Sequence, residues 1–129
     1  MRNIFAILTI LMISVSAYAL PAGATFVTLQ WTSPGDDSLT GTATSYDLRY
    51  STTPITEANW GTAVQVSGEP IPKVSGSAET FTVSGLTPNT AYYFAIKTAD
   101  EVPNWSAISN IAMISTLDNV APAAIKDLR

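Results

Sequence analysis

The segment from Phe81 to Thr98, FTVSGLTPNTAYYFAIKT, constrains this chain more than any other. Phe81 and Val83 alternate into Leu86, the run Leu86-Thr87-Pro88-Asn89-Thr90 turns the backbone, and Tyr92, Phe94 and Ile96 alternate out of it. A period of two belongs to a strand with one buried face, so the segment predicts two β-strands joined at a corner. Tyr92 opens the outgoing strand six residues after Leu86. From there its ring reaches a core while its hydroxyl returns to a backbone group of the turn, an arrangement that belongs to two packed antiparallel sheets.

The remaining strands follow from the same alternation. Thr25 to Thr32 sets Val27, Leu29 and Trp31 against Thr28, Gln30 and Thr32, and the register makes Trp31 a core residue rather than a sugar-stacking platform. Tyr46, Leu48 and Tyr50 alternate with Asp47 and Arg49, which places that acid and base on the solvent face as an exposed pair worth about 0–1 kcal/mol. In the connection Ser51 to Gly61, Thr56 is placed to cap a single helical turn over Glu57-Ala58-Asn59. Trp60, at its end, either folds back over the sheet or stays exposed. Ala63 to Val66 reads as a short edge strand, and Ser67 to Ser77 as a loop or protected edge, because Pro70 and Pro72 cannot donate to a ladder. Ser109 to Thr116 is the last strand; its run Ile111-Ala112-Met113-Ile114 is apolar on both faces and leaves the inward register open.

Gly85, Leu86, Pro88, Thr90 and Tyr92 spell Gly-Leu-x-Pro-x-Thr-x-Tyr, and on these residues the chain resembles the fibronectin type III family. The resemblance implies an all-β, immunoglobulin-like two-sheet antiparallel β-sandwich. Trp31 then matches the core Trp of strand B, and Tyr46 to Tyr50 matches strand C. The expected core is Trp31, Tyr46, Leu48, Leu86, Tyr92, Phe94 and Ile96. The family's strand A precedes the Trp strand, whereas here only Leu20 to Ala24 remain ahead of it after a leader, and Ala121 to Leu128 looks like the strand A of a following module. Residues 1–19 are accordingly expected as a signal peptide, 20–117 as the domain, and 118–129 as a linker and the start of a following module. The linker Leu117 to Ala121 reaches about 18 Å when extended, too short to bring that segment back in the native direction across a strand of about 26 Å. Neighbouring tandem modules, or strand donation between copies, are the partners this implies.

The leader rests on Arg2, the apolar run Ile4 to Val15 and the exit Ala17-Tyr18-Ala19, the pattern of a secretory signal peptide with a helical apolar middle. Its run is shorter than the ~20 residues of a bilayer span, so cleavage after Ala19 and a secreted or cell-surface address, without membrane insertion, are expected. The chain resembles the bacterial exported modules of the family. The chain has no Cys, so packing alone must stabilise it. Six Lys and Arg side chains stand against ten acidic ones, a net charge of −4, which repels phosphate backbones and makes nucleic acid a poor partner.

With no His and no Cys, the usual general base, thiol nucleophile and imidazole ligands are missing. A glycosidase needs two carboxyls about 5–9.5 Å apart across a cleft, which the neighbours Asp100 and Glu101 on a convex sandwich do not offer. The adjacent acids Asp36 and Asp37 supply too few oxygens for calcium. No enzyme, cofactor or metal site is expected. The best candidate surface is the loop after Thr98, where Asp100, Glu101, Asn104 and Trp105 set two acids, an amide and an aromatic on one rim, with Trp60 as a second aromatic. Two roles stand open: a module binding a polysaccharide or a surface protein through those aromatics, and a structural spacer whose loop Trp packs onto its own sandwich.

Overall fold

A computed structural model of the protein describes residues 22–37 and 40–129. The leader, its helix and its cleavage point lie outside the described residues. Among the described residues six strands form: β1 (Phe26–Thr32), β2 (Ser45–Ser51), β3 (Val64–Gln65), β4 (Ala78–Ser84), β5 (Ala91–Ala99) and β6 (Ala112–Ser115). All pairings are antiparallel, and they build a two-stranded sheet β1-β4 and a four-stranded sheet β3-β2-β5-β6. The described part of the fold is therefore an all-β, two-sheet sandwich.

Alternation fills the space between the sheets. Val27 and Leu29 from β1, Leu48 from β2, Val83 from β4, and Tyr92 and Phe94 from β5 are buried together with Leu86. Each lies at the inward parity of its strand, as burial of one face per strand requires. Trp31 and Ile96 pack against this cluster half-buried, and Trp31 meets Tyr46 edge to face at a centroid distance of 5.2 Å.

The corner closes as its spacing dictates. Gly85 takes φ 78° and Asn89 φ 51°, so the left-handed positions of the turn fall on the two residue types that tolerate them. Tyr92 then buries its ring and its hydroxyl accepts the N–H of Thr87 at 2.9 Å.

Packing corrects two expectations about the strands and settles a register left open. The last strand is shorter than Ser109 to Thr116, because Ser106 and Ser109 each turn a hydroxyl onto β5 instead: their Oγ atoms accept the N–H groups of Thr98 and Ile96 at 3.0 Å. Pairing of Tyr92 with Ile114 and of Tyr93 with Met113 settles the open register, turning Ala112 and Ile114 inward and leaving Met113 60% exposed. The pair Asp47–Arg49 is not an exposed one, since its side chains keep only 11% and 17% of their surface.

Both ends of the described sandwich meet at one pole. Gly23 N–H donates to Phe26 C=O and Ala22 pairs with Val27, a tight hairpin lying on the side of β1 away from β4. A Cβ at position 23 would run into the Phe26 ring, which would have to move aside for any larger residue there. Leu117, just past β6, donates its N–H to Gly23 C=O at 3.0 Å. Beyond it, residues 118–129 are exposed and belong to no strand.

Candidate interaction surface at the loop rim and sheet face

The loop between β5 and β6 spends most of its polarity on itself. Asp100 Oδ1 accepts the N–H of Val102 at 2.9 Å and of Asn104 at 2.6 Å, while Oδ2 accepts the Asn104 side-chain amide at 2.8 Å. These bonds, the Asn104 backbone N–H first, hold the Asp100 carboxyl below the usual carboxylate range despite opposing desolvation. Asp100 and Asn104 thus knit a closed loop around a cis Val102–Pro103 peptide rather than projecting toward a ligand. Glu101 and Trp105 remain outward, Trp105 at 49% exposure, with its backbone bridged to Ala99.

A second set of acids faces this rim. Burial, followed by the charges of Glu101 and Asp37, pushes the Asp36 carboxyl up. Its Oδ1 is shielded from water without a hydrogen-bond donor. Among the described residues no three metal-ligating side chains come together in a way that holds an ion.

Trp60 lies elsewhere, on the outer face of the four-stranded sheet. Asp47 and Arg49 of β2 and Lys97 of β5 share this face, because Asp47 and Lys97 are register partners on adjacent strands. Thr56 Oγ1 accepts Asn59 N–H at 3.2 Å and Asn59 Oδ1 accepts Thr56 N–H at 2.7 Å, a reciprocal cap that closes the turn ahead of the 3-10 turn Trp60–Thr62. The cap delivers the Trp60 ring half-buried onto the sheet, where the Arg49 guanidinium and the Lys97 ammonium lie 4.8 Å and 4.9 Å from its centroid. Arg49 also grips Asp47 bidentately at 2.9 Å and 3.0 Å and donates to Trp60 C=O at 3.1 Å. Glu57 joins Lys97 at 2.9 Å and accepts Ile108 N–H at 2.8 Å, which ties the β2–β3 connection to the β5–β6 loop. Lys97 first, then that backbone bond, draws the Glu57 carboxyl down. Trp60 is therefore a clamp holding two cations of its own sheet, and it does not join Asp100, Glu101, Asn104 and Trp105 in one site.

Two further acids matter that alternation alone did not single out. Glu79 is 1% exposed; its Oε2 accepts the Tyr46 hydroxyl at 3.1 Å and Lys73 N–H at 2.8 Å. Ser33 Oγ bonds the same hydroxyl at 2.9 Å and donates to Lys73 C=O at 2.6 Å, so a buried polar knot fastens the Pro-rich loop to the sandwich. Burial pushes the Tyr46 hydroxyl up, keeping it a donor. The signal was present: Glu79 sits two residues before Phe81, at the inward parity of β4. Glu69, in the same loop, takes the N–H of Leu48 at 2.9 Å on the edge of β2 that the two residues of β3 leave uncovered.

A two-sheet antiparallel sandwich with a tyrosine at the β4–β5 corner defines an immunoglobulin-like module. The family model for the fibronectin type III domain matches residues 16–111, and the chain belongs to that family. It is 35% identical over 99 residues, 72% of its length, to Calcium-activated chloride channel regulator 1 of Homo sapiens. It is also 35% identical over 118 residues, 84% of its length, to Chitinase A1 of Niallia circulans. The chain spans only 11% and 17% of these two relatives. Among solved structures it is similar in fold to the fibronectin type III domain of human fibronectin type III domain containing protein 3, at 23% identity and TM-score 0.50, covering 84% of this chain and 89% of that one. The solution structure of the sensor domain of the anti-sigma factor RsgI4 in Pseudobacteroides cellulosolvens is similar at 17% identity and TM-score 0.51, with 87% of each chain covered.

Proposed function

We propose that this chain is a non-catalytic fibronectin type III module of an exported, cell-surface or secreted protein, serving as a structural spacer. The observation that carries this reading is the internal use of the polar rim. Asp100 and Asn104 satisfy each other, and Trp60 is occupied by Arg49 and Lys97, so these groups are spent on one another rather than converging on a ligand. Relatives far longer than the chain support a part embedded in larger proteins. For the address, the leader pattern of residues 1–19 supports export, and no helix among the described residues is long and apolar enough to cross a membrane.

A second reading keeps a specific support: Trp105 stands half out of the rim beside Glu101, a partly exposed aromatic of the kind that stacks on a sugar or anchors a protein contact. Titrating the chain with a polysaccharide panel, chitin oligosaccharides first, while following tryptophan emission separates the two. No change with any glycan is the spacer's result. A saturable change that Trp105→Ala removes and Trp60→Ala leaves in place would replace the spacer reading with the binding one.

A further inference from the structure

β4 closes its sheet on the side away from β1. It pairs with β1 alone, and among the described residues no strand or bridge meets it on the far side. Ser33 N–H donates to Ser77 C=O, in step with the pairing of Thr32 and Ala78, so the backbone of Ser77 faces β1. Alternation turns Glu79, Phe81 and Val83 the same way and aims the N–H and C=O groups of Thr80, Thr82 and Ser84 at the open side. At the head of this edge the Lys73 ammonium donates to Ala78 C=O at 3.1 Å, a cover that reaches the first residue of the strand. Edge strands are ordinarily guarded by an outward charge, a proline or a bulge. β4 carries none of these: its outward side chains are Ala78, Thr80, Thr82 and Ser84, its single charge, Glu79, is buried, and its seven residues run in unbroken register with β1. On the inner side of the same edge Phe81 stays half-buried, although Val83 two residues on is at 3% exposure.

We infer that the occupant of this edge is β4 of a second copy of this chain, paired antiparallel about a two-fold axis through Thr82, so that the two small sheets join into one. An antiparallel neighbour must present N–H and C=O groups in the same alternation, and the identical strand does so by symmetry. With Thr82 opposite Thr82, Thr80 of each copy meets Ser84 of the other, and every such pair exchanges both of its backbone bonds. Between these pairs Phe81 of one copy faces Val83 of the other on the inner side, which covers the Phe81 ring where its own domain leaves it open. Charge selects the occupant. Each chain has a net charge of −4, yet the facing outer side chains are hydroxyls alone, so the strand meets its copy without setting like charges against each other. The chain's own tail is on the wrong side for this edge, since it leaves from Leu117 beside Gly23, with β1 standing between. The axis sets the two domains with opposed directions, so the two Trp105 loops point opposite ways and each stays accessible.

The chain has no native Cys, which makes cross-linking a clean test. The exported protein is sized by light scattering across a concentration series beside Thr82→Lys, which changes an exposed side chain bonded to Thr28 and sets two ammonium groups against each other on the axis. Thr82→Cys and Thr28→Cys are oxidised mildly in parallel. Residues paired on the axis stand about 5.5 Å apart at Cα, within reach of a disulfide. Thr28, the β1 partner of Thr82, stands one strand further out and about 14 Å from its copy. The expected results are a wild-type mass that doubles as concentration rises, a Thr82→Lys mass that stays that of one chain with wild-type circular dichroism, and a disulfide dimer from Thr82→Cys but not from Thr28→Cys. A wild-type mass that stays that of one chain overturns the inference. So does a doubled mass that survives Thr82→Lys, or a disulfide dimer that Thr28→Cys forms as readily as Thr82→Cys.

Discussion

Removing the Glu79 carboxylate tests whether the buried knot is as consequential as its geometry says. Glu79 serves two donors from a site 1% exposed, and Lys73, whose ammonium lies 4.0 Å from the other oxygen, is itself 60% exposed and screens it weakly. In Glu79→Ala the Tyr46 hydroxyl keeps Ser33 at 2.9 Å, but the Lys73 N–H loses its acceptor. Leaving a buried polar group unpaired costs about 1–3 kcal/mol, and the void beside Tyr46 brings the total to about 3–5 kcal/mol. Glu79→Gln keeps the volume and one acceptor oxygen while setting an amide N–H₂ against a donor, a loss of one charge-assisted bond, about 1.5–3 kcal/mol. Urea unfolding followed by tryptophan emission reads both, because Trp31 lies edge-on to Tyr46 and reports the knot directly. The midpoints fall in the order wild type, Glu79→Gln, Glu79→Ala, at unchanged m. A cycle with Tyr46→Phe adds a coupling of about 0.5–3 kcal/mol between the two side chains. A Glu79→Ala variant within about 1 kcal/mol of wild type, or a cycle with no coupling, would refute the reasoning.

Other outcomes follow from the same contacts. Tyr92→Phe leaves Thr87 N–H without its acceptor at the corner and lowers stability by about 1–3 kcal/mol in urea unfolding. Arg49→Lys loses the fork on Asp47 and the close approach to Trp60, so calorimetry gives a lower Tm than wild type although the charge is kept. Glu57 titrates below its ordinary value of 4.5 in the folded state, so its stabilising effect is present above that value and is lost as pH falls through the folded pKa. Glu57→Gln therefore lowers the urea midpoint at pH 7, and the difference from wild type closes in acid. Asp36 has the opposite sign: its folded pKa lies above 3.8, so ionisation opposes folding, and Asp36→Asn raises the midpoint at neutral pH with no gain in acid below that value.

The corner was legible because everything that makes it is local: Gly85, Leu86, Pro88, Asn89 and Tyr92 lie within one short stretch, and the bond from Thr87 to Tyr92 spans five residues. Alternation placed Val27, Leu29, Leu48 and Phe94 for the same reason. What stayed hidden depends on pairing between distant segments. The run Ile111 to Ile114 is apolar on both faces, so only its register against Tyr92 and Tyr93 decides which side goes in. Glu79 finds Tyr46 33 residues away, and a charged side chain at an inward position has no meaning until that partner is placed. The rim was only partly legible for a related reason. Asp100, Asn104 and Trp60 have the composition of a recognition surface, but composition does not say whether such groups face outward or engage each other.

The bond that joins Leu117 to Gly23 at one pole bears on how the domain carries load. Tension applied between Gly23 and Leu117 falls first on the single bond joining them, then on the neighbouring rungs one after another, as a zip opens. A sandwich gripped from opposite poles would instead set whole ladders in shear, with many rungs resisting at once. Where the pull takes hold, at that pole or across the sandwich, therefore decides how readily this module yields.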